Sequence, residues 1–322
     1  MDSIKISVIM GVYNEEEIWV RESIESILNQ TYKNLEFVII LDNPENKKLK
    51  SVIEEYSKKD NRIRFYINEK NLGLIDTLNK AIGLSNGEYI ARMDSDDIAI
   101  STRLEEQMNF IINNPEYELI GTKVQYIDDI GKEIHLEDNR VYSYKDIKKY
   151  LKYDNPFAHP TVIYKADIVK ELGGYDKALY AEDYELIMKF VVNGKKVCNL
   201  DKKLLKYRLR DNGISISKKD YQVTTTQFLQ KTYKKHLKNN TLYNLNSEEL
   251  NRLLLKDDSS WNKKIYELHK KALDLGKSNN KISKGFYVLL ISIISPKYFT
   301  WYKNKVAVKM LFKEGTLMKN IN

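Results

Sequence analysis

Short apolar runs of strand length alternate with amphipathic segments over the first 130 residues, and this alternation restricts the fold more than any other feature. The predicted strands lie near residues 5–12, 36–42, 63–67, 88–93 and 119–127. Between them, apolar residues recur at steps of three and four, as one buried helical face requires: Ile24, Ile27, Leu28, Leu49, Val52, Ile53, Tyr56, Leu74, Leu78 and Ile82. Right-handed crossovers then build a mostly parallel sheet covered on both faces, so we predict an α/β fold with a Rossmann-like sheet.

Polar or acidic residues follow three of these predicted strands. Residues 13–15 (Tyr-Asn-Glu) follow the first strand, residues 42–43 (Asp-Asn) the second, and residues 94–97 (Asp-Ser-Asp-Asp) the fourth. The carboxyl ends of parallel strands meet at one edge of a sheet, and open α/β sheets bind their ligands there. We therefore predict that these three segments line one binding site.

The pattern changes after about residue 143. The later elements are helices near 144–153, 166–172 and 182–193, an extended run at 160–164, and strands near 196–200 and 204–209. We expect these elements to complete one domain, residues 1–217. Residues 218–322 form a second region that is helical throughout, with breaks at the Asn-Asn pairs 239–240 and 279–280.

Charge is divided unevenly between the two regions. Residues 218–322 contain 21 Lys and Arg and 8 Asp and Glu, a net charge of +13, whereas residues 1–217 carry −5. A basic region of this kind favours an anionic membrane surface or nucleic acid as a partner. We do not expect nucleic acid, because no nucleic-acid-binding module accompanies the basic residues and the acidic body repels phosphates.

The stretch 285–312 mixes aromatic and aliphatic residues with lysines, as interfacial helices on an anionic bilayer do. The alternative is that its apolar faces pack back onto the body and its lysines are a solvated surface. Its most apolar run, residues 286–294, is shorter than the roughly 20 residues that cross a bilayer. No secretory signal is recognisable, and the single cysteine, Cys198, fits a reducing compartment. We expect a cytoplasmic protein, with peripheral attachment to the inner face of the membrane as an option.

The run 94–97 offers hard oxygen ligands of the kind that Mg²⁺ or Mn²⁺ selects. A cation held by one or two carboxylates keeps positions open for a diphosphate. The same residues suit a turn that caps a helix starting near Ser101. Ile98 and Ala99 exclude an EF-hand loop beginning at Asp94, because that loop needs an oxygen ligand and a glycine there. Neither a Walker A motif nor the three-glycine dinucleotide fingerprint occurs in the chain.

Further candidates lie in the second half of the domain. Glu182 and Asp183 open a predicted helix, where an acid either complements the helix macrodipole or serves as a general base towards a hydroxyl group. His159 lies in an extended segment, and Arg208 and Arg210 end a strand. An arginine there can neutralise phosphate oxygens, and one of the two can equally be a plain surface charge.

Across residues 4–217 the chain resembles glycosyltransferase family 2, whose members have the GT-A fold. No single motif is specific to the family, but the order and spacing of the motifs together are specific. They are SVIMGVYN at 7–14, SILNQTY at 26–32, NLGL at 71–74, NGEYIARMDSDD at 86–97, RLEEQ at 103–107, NPFAHPT at 155–161, GGYD at 173–176 and AEDYEL at 181–186.

The resemblance implies an inverting transfer of a sugar from a nucleotide diphosphate, usually UDP, to a hydroxyl of a glycan or lipid-linked acceptor, with Mn²⁺ or Mg²⁺ as cofactor. Matching positions imply these nucleotide-binding residues: Val12, Tyr13, Asn14, Asp42, Asn71, Gly73, Arg92, Asp94 and Ser95. Asp96, together with Asp94, matches the metal-binding DxD signature, and Asp183, beside Glu182, matches the catalytic base. His159, Arg208 and Arg210 remain candidates for contacts with the diphosphate or acceptor.

One position departs from the family pattern. Many relatives have histidine two residues after the arginine that matches Arg208, whereas this chain has Arg210. A sugar-phosphate nucleotidylyltransferase is the nearest enzymatic alternative, but it would need a Gly-rich, basic first loop, and residues 11–17 are acidic. The alternative from another class is a non-catalytic module that binds a sugar nucleotide or a membrane, which the presence of Asp96 and Asp183 disfavours.

Overall fold

The computed structural model describes residues 4–136, 143–210, 218–257, 260–277 and 281–311, which form one sheet and twelve α-helices. The strands are β1 (Ile6–Val12), β2 (Leu35–Leu41), β3 (Ile63–Ile67), β4 (Tyr89–Arg92), β5 (Ile98–Ala99), β6 (Tyr117–Ile127), β7 (Glu133–Ile134), β8 (Ile163–Lys165) and β9 (Lys196–Arg208). The helices are α1 (Glu17–Leu28), α2 (Lys47–Lys59), α3 (Leu74–Leu84), α4 (Arg103–Asn113), α5 (Tyr144–Tyr150), α6 (Ala166–Glu171), α7 (Glu182–Val192), α8 (Lys219–Asn239), α9 (Ser247–Asp257), α10 (Ser260–Lys277), α11 (Lys281–Ile294) and α12 (Pro296–Leu311).

The strand order is β3-β2-β1-β4-β8-β6-β9-β5, with β7 paired to β6. β1 runs parallel to both β2 and β4, and β2 runs parallel to β3, so the carboxyl ends of these four strands share one edge. β8 is antiparallel to both of its neighbours, and β9 is parallel to β6. The predicted α/β architecture with a mostly parallel sheet is confirmed.

Helices cover both faces of the sheet. Successive side chains of a strand point to opposite faces, and strands covered on both faces are apolar at every position. In β1, Ile9 belongs to one buried cluster, whereas Val8 and Met10 belong to the other. The first cluster also holds residues of α3, α7 and α8, and the second holds residues of α1, α2 and α4. The core therefore lies on both sides of β1 and β2.

Several predicted element boundaries differ from the structure. The strands expected at 196–200 and 204–209 form the single strand β9, which stays paired to β6 through register shifts near Thr122 and Lys123. The helix expected at 144–153 ends at Tyr150. Gly173 and Gly174, with φ of 81° and 71°, follow α6 and allow the chain to turn sharply there.

The helices after residue 218 pack on the body of the protein. Phe228, Leu229 and Tyr233 of α8 are buried in the same cluster as residues of α7, and α10, α11 and α12 share a third cluster around Ile265, Ile291 and others. The break predicted at 239–240 occurs, since α8 ends there and Asn240 is left-handed with φ of 50°. The break at 279–280, the boundary at 217 and Phe312 lie outside the described residues. None of the described helices is both long enough and apolar enough to cross a membrane.

Candidate active site

An acidic cluster lies where β4 leaves the sheet. Oxygens of Asp94, Asp96 and Asp97 lie within 4.8 Å of one another, and the side chains of Asp96 and Asp97 are buried. Burial, followed by the charge of Asp94, raises the pKa of Asp96 to about 7. Burial and the two neighbouring carboxylates also raise the pKa of Asp97 well above its usual value. Bringing three carboxylates together in this way is unfavourable unless a positive charge compensates them.

The donor set of this cluster fits a divalent cation. Asp97 Oδ1 accepts the backbone N–H of Arg208 at 2.8 Å, whereas its buried Oδ2 has no hydrogen-bond partner among the described residues. A buried carboxylate oxygen without a donor is costly, and a metal ion would satisfy it. Carboxylate oxygens are the ligands that Mg²⁺ and Mn²⁺ prefer. Asp94 and Asp96, the predicted metal residues, would hold such an ion together with Asp97.

Two buried arginines lie beneath the acidic cluster. Arg92 forms an ion pair with Asp94, and its Nε has no hydrogen-bond partner among the described residues. Arg103 is fully buried, and its Nη2 donates to the carbonyl oxygen of Arg92 at 2.8 Å. Burial and the charge of Arg92 lower the pKa of Arg103 to about 9. Gln107, which accepts from Arg103, donates to the carbonyl oxygen of Thr161 at 2.9 Å. Arg103 and Gln107 thus fix the end of β4 against the neighbouring segment.

Asp42, at the end of β2, holds the loop that precedes α3. Its Oδ1 accepts from the backbone N–H of Leu72 at 2.8 Å, and its Oδ2 accepts from that of Gly73 at 2.9 Å. The Asn71 side chain accepts from the same Gly73 N–H at 2.8 Å. Gly73 has φ of 82°, a conformation that suits glycine. The three predicted nucleotide residues Asp42, Asn71 and Gly73 therefore form one hydrogen-bonded unit.

The loop after β1 joins this wall. Asn14 Oδ1 accepts from Asn43 Nδ2 at 2.7 Å and from Asn46 Nδ2 at 3.2 Å. Val12 is buried at the end of β1, whereas the Tyr13 side chain is exposed. The segments that follow β1, β2 and β4 therefore lie together at the carboxyl edge, as the strand pattern predicts. Ser95 is buried within the acidic loop.

Glu182 and Asp183 occupy the first turn of α7 and are partly buried. Asp183 Oδ2 accepts from Asn155 Nδ2 at 2.8 Å. Burial raises the pKa of both carboxyl groups, that of Glu182 to about 7 with help from the adjacent Asp183. The charge of Asp94 raises both pKa values further, and the charge of Arg92 lowers them. The start of α7 and the acidic cluster are therefore close enough to interact electrostatically.

His159 is partly buried and contacts a tyrosine of the segment that follows α6. Its Nε2 is 2.7 Å from the hydroxyl oxygen of Tyr175, which is itself buried. Burial and the nearby charge of Arg92 lower the pKa of His159 well below its usual value, so the ring is neutral. The backbone N–H of Tyr175 donates to Asn79 Oδ1 at 2.8 Å, which ties this segment to α3.

Arg208 and Arg210, equivalent candidates in the sequence, have different surroundings. Arg208 is buried, and its guanidinium donates to Glu22 Oε2 at 2.7 Å and to the carbonyl oxygens of Asp96, Asp128 and Asp129. Its donor groups are thus used to position the acidic loop. Arg210 is partly exposed, and its Nη2 is 2.7 Å from Asp96 Oδ2.

Some residues that build the site carried no clear signal in the sequence. The Trp19 ring lies beside both arginines, 5.3 Å from the guanidinium of Arg208 and 5.6 Å from that of Arg210. Glu22, one helical turn further along α1, pairs with Arg208. Their spacing of three on α1 is the only sequence signal that could have linked them. Asn155, in contrast, was part of a recognised motif without an assigned role.

Comparisons with known proteins agree with this geometry. Residues 7–173 match the sequence profile described as Glycosyl transferase family 2. An uncharacterized glycosyltransferase of Methanocaldococcus jannaschii is 40% identical over 76% of this chain and 85% of its own length. The UDP-Gal:alpha-D-GlcNAc-diphosphoundecaprenol beta-1,3-galactosyltransferase of Escherichia coli is 32% identical over 62% of this chain and 71% of its own length. Residues 1–349 of S. aureus TarS, in complex with UDP-GlcNAc, superpose with a TM-score of 0.60 over 97% of this chain and 92% of that chain, and at 18% identity this likeness concerns the fold alone. The chain therefore belongs to glycosyltransferase family 2 and is a glycosyltransferase of the GT-A fold.

Proposed function

We propose that the protein transfers a sugar, with inversion, from a UDP-sugar to a hydroxyl group of a lipid-linked glycan, and that the transfer requires Mg²⁺ or Mn²⁺. The observation that carries this proposal is the electrostatic interaction between two acidic groups, one after β4 and one at the start of α7. The cluster of Asp94, Asp96 and Asp97 and the acids that open α7 are close enough for their charges to interact. The first group would hold the cation that stabilises a diphosphate. The second would supply the base that accepts the proton of the attacking alcohol.

The nucleotide lies along the loops after β1, β2 and β3. Asp42 holds the loop of Asn71 and Gly73 in place, so that the exposed polar groups of this loop and of Asn14 face the ligand. Val12 and Tyr13 flank the base. Nearer the diphosphate, Arg92 keeps Asp94 in position and Ser95 lies within the same loop.

Asp96 and Asp94 hold the cation, with Asp97 as a third oxygen donor. When bound, the cation supplies positive charge that stabilises the departing diphosphate. Arg208 keeps the acidic loop in shape through the Asp96 carbonyl oxygen, to which its Nε donates at 2.8 Å. Arg210 has the more accessible guanidinium and contacts the diphosphate once it leaves Asp96. His159 is neutral and supports the acceptor side through Tyr175.

Asp183 is the general base, with Glu182 beside it. The carboxylate takes the proton of the acceptor hydroxyl while that oxygen bonds to the anomeric carbon and the bond to the diphosphate oxygen breaks. Attack from the side opposite the leaving group inverts the anomeric centre, as in hydrolases that use one carboxylate to activate the incoming oxygen. Asn155 orients the carboxylate by donating to Oδ2. Burial raises the pKa of Asp183, which makes its carboxylate a stronger base.

Two of the similar proteins support the choice of substrates. The Escherichia coli relative is named for a UDP-Gal donor and a diphosphoundecaprenol acceptor, and TarS, which shares the fold, binds UDP-GlcNAc. A UDP-linked hexose or N-acetylhexosamine is therefore the donor class we propose. A lipid-linked acceptor places the reaction at the inner face of the cell membrane.

The test is hydrolysis and transfer over a panel of nucleotide sugars, with and without Mn²⁺, for the parent chain and for Asp183→Asn. We expect metal-dependent turnover of a UDP-sugar by the parent chain. Loss of a positioned base typically costs a factor of about 10²–10⁴ in rate, so Asp183→Asn should lose transfer to that extent and still bind UDP. Full transfer activity in Asp183→Asn would show that this residue is not the base. Equal turnover in the presence of EDTA would show that the reaction does not require a cation.

A further inference from the structure

The last two described helices each carry a series of exposed apolar side chains, and we name these two series together the tail apolar face. Its members are each more than half exposed to solvent: Phe286, Leu289 and Ile293 on α11, and Phe299, Val306 and Met310 on α12. The residues are spaced by three, four or seven positions within each helix, so each set forms one stripe. Large apolar side chains gathered in this way mark an interaction surface rather than ordinary surface composition.

The opposite sides of the same helices are firmly packed. Ile291 of α11 and Tyr298 of α12 are buried in the third core cluster. On α12, Lys297 Nζ lies 2.6 Å from Asp220 Oδ1 and 2.9 Å from Asp257 Oδ1, and Lys305 pairs with Asp154. These contacts fix the orientation of α12, so its exposed apolar residues do not result from a loosely placed helix.

The sequence segment that contains α11 and α12 carries charge of one sign. No acidic residue occurs between Asp274 and Glu314, whereas the same stretch contains eight lysines. Lys297 and Lys305 are used in internal ion pairs, but Lys303 and Lys309 are exposed and have no ion pair among the described residues. Lys303 follows Phe299 by four positions and precedes Val306 by three, so it lies within the apolar stripe of α12.

We propose that the tail apolar face, with Lys303 and Lys309, docks on an anionic lipid bilayer, with α11 and α12 lying in the interface. Apolar residues interleaved with lysines suit the boundary between acyl chains and anionic headgroups. A second copy of this chain fits less well, because a two-fold contact would bring the same unpaired lysines of both copies together.

The inference rests on the proposed function in one respect: docking on the bilayer would bring the active site close to a lipid-linked acceptor. The sugar donor and the base act at the sheet edge, whereas the docking residues lie on α11 and α12. Docking and chemistry can therefore fail independently. Binding to lipid vesicles reports on the first, and hydrolysis of the UDP-sugar without lipid reports on the second.

The experiment is flotation of the full chain with vesicles of phosphatidylcholine alone and with vesicles containing phosphatidylglycerol. Two variants test the surface: Phe286→Ser with Ile293→Ser and Met310→Ser, and Lys303→Glu with Lys309→Glu. Matched controls change exposed residues elsewhere: Leu242→Ser with Leu255→Ser, and Lys58→Glu with Lys196→Glu. All of these positions are exposed, so circular dichroism and thermal unfolding should match those of the parent chain.

We expect the parent chain and both controls to float with anionic vesicles, and binding to weaken as salt is raised. The lysine variant should bind roughly 30-fold more weakly or worse, because each lysine near an anionic surface contributes about 1 kcal/mol. The apolar variant should also lose binding while its donor hydrolysis in solution stays unchanged. Equal binding by variants and parent would overturn the proposal, and so would absence of parent binding to any vesicle. A parent dimer that the apolar variant converts to monomer, without vesicle binding, would assign the face to a second copy instead.

Discussion

At the scale of single residues, Arg210 stands where the resemblance to the family implies a histidine. Its guanidinium lies against Asp96, one of the oxygen donors proposed for the cation. A guanidinium and a divalent cation close to one carboxylate repel each other and compete for its negative charge. If the proposed cation binds there, Arg210 would compete with it for Asp96 and would become available to the diphosphate once that ion pair opens.

We therefore predict that Arg210→Ala binds Mn²⁺ more tightly than the parent chain in the absence of nucleotide. The expected gain is about fivefold, since a partly exposed ion pair contributes about 1 kcal/mol. Free Mn²⁺ measured by electron paramagnetic resonance gives both affinities directly. Lys202→Ala is the control, because Lys202 is an exposed cation that pairs with Glu106, away from the acidic cluster. Unchanged or weaker Mn²⁺ affinity in Arg210→Ala would refute the competition.

The residues of the site were predictable from the sequence to different degrees. The acidic run 94–97 stands out because carboxylates are crowded directly after a strand. The two arginines could not be told apart, because their roles depend on partners distant in the chain: Glu22 and Asp128 for Arg208, and Asp96 for Arg210. Trp19 was missed for the same reason, since only the fold brings it beside both guanidinium groups.

At the scale of elements, α7 carries the candidate catalytic acids in its first turn and a buried network of charged side chains one turn later. Glu185 is fully buried one turn after Glu182, and its Oε1 lies 3.5 Å from Lys189 Nζ. Lys189 also donates to the Gly174 carbonyl oxygen at 2.8 Å and pairs with Asp176 at 3.0 Å. This network joins α7 to the glycine turn after α6. Burial raises the pKa of Glu185 to about 8 despite the lysine.

The raised pKa has a consequence for stability. The folded protein holds the Glu185 proton up to about pH 8, whereas the unfolded chain releases it near its ordinary value of 4.5. The folded state binds more protons between these values, so the contribution of Glu185 to stability is full below about pH 4.5 and is lost as the pH rises towards 8. We predict that Glu185→Gln has a flatter dependence of unfolding free energy on pH between 5 and 8. Urea unfolding at several pH values measures it, and parallel curves for parent and variant would contradict the prediction.

The elements themselves show where the sequence pattern is informative and where it is not. The first three strands and helices were predictable because each buries a periodic apolar face against the sheet. β9 was predicted as two strands because residues 201–203 are polar, yet β6 continues to pair on both sides of that segment. Whether a strand stays paired through a bulge depends on the neighbouring strand. The periodicity of one segment of sequence carries no information about that neighbour.

At the scale of the whole molecule, the two regions predicted from charge share one core. Phe228, Leu229 and Tyr233 of α8 are buried with residues of α7, and Tyr233 donates its hydroxyl hydrogen to the Lys148 carbonyl oxygen at 3.1 Å. Gln230 Nε2 donates to the carbonyl oxygen of Tyr153 at 2.7 Å. The alternative in which the basic region packs on the body therefore holds for one side of its helices. The tail apolar face remains exposed, and its contact with a membrane stays a prediction.

This shared core predicts that the catalytic region depends on the helices that follow it. Leu229 is fully buried, so Leu229→Ala should lower the free energy of unfolding by about 2–5 kcal/mol, the usual cost of a large-to-small change in a core. Leu255→Ala removes the same atoms from a side chain that is 73% exposed, and it should leave stability nearly unchanged. Urea unfolding followed by circular dichroism and by donor hydrolysis should give one common midpoint for each protein. If Leu229→Ala kept parental stability, or if hydrolysis persisted after the helices had melted, the basic region would be an independent unit whose packing on α7 is not needed for activity.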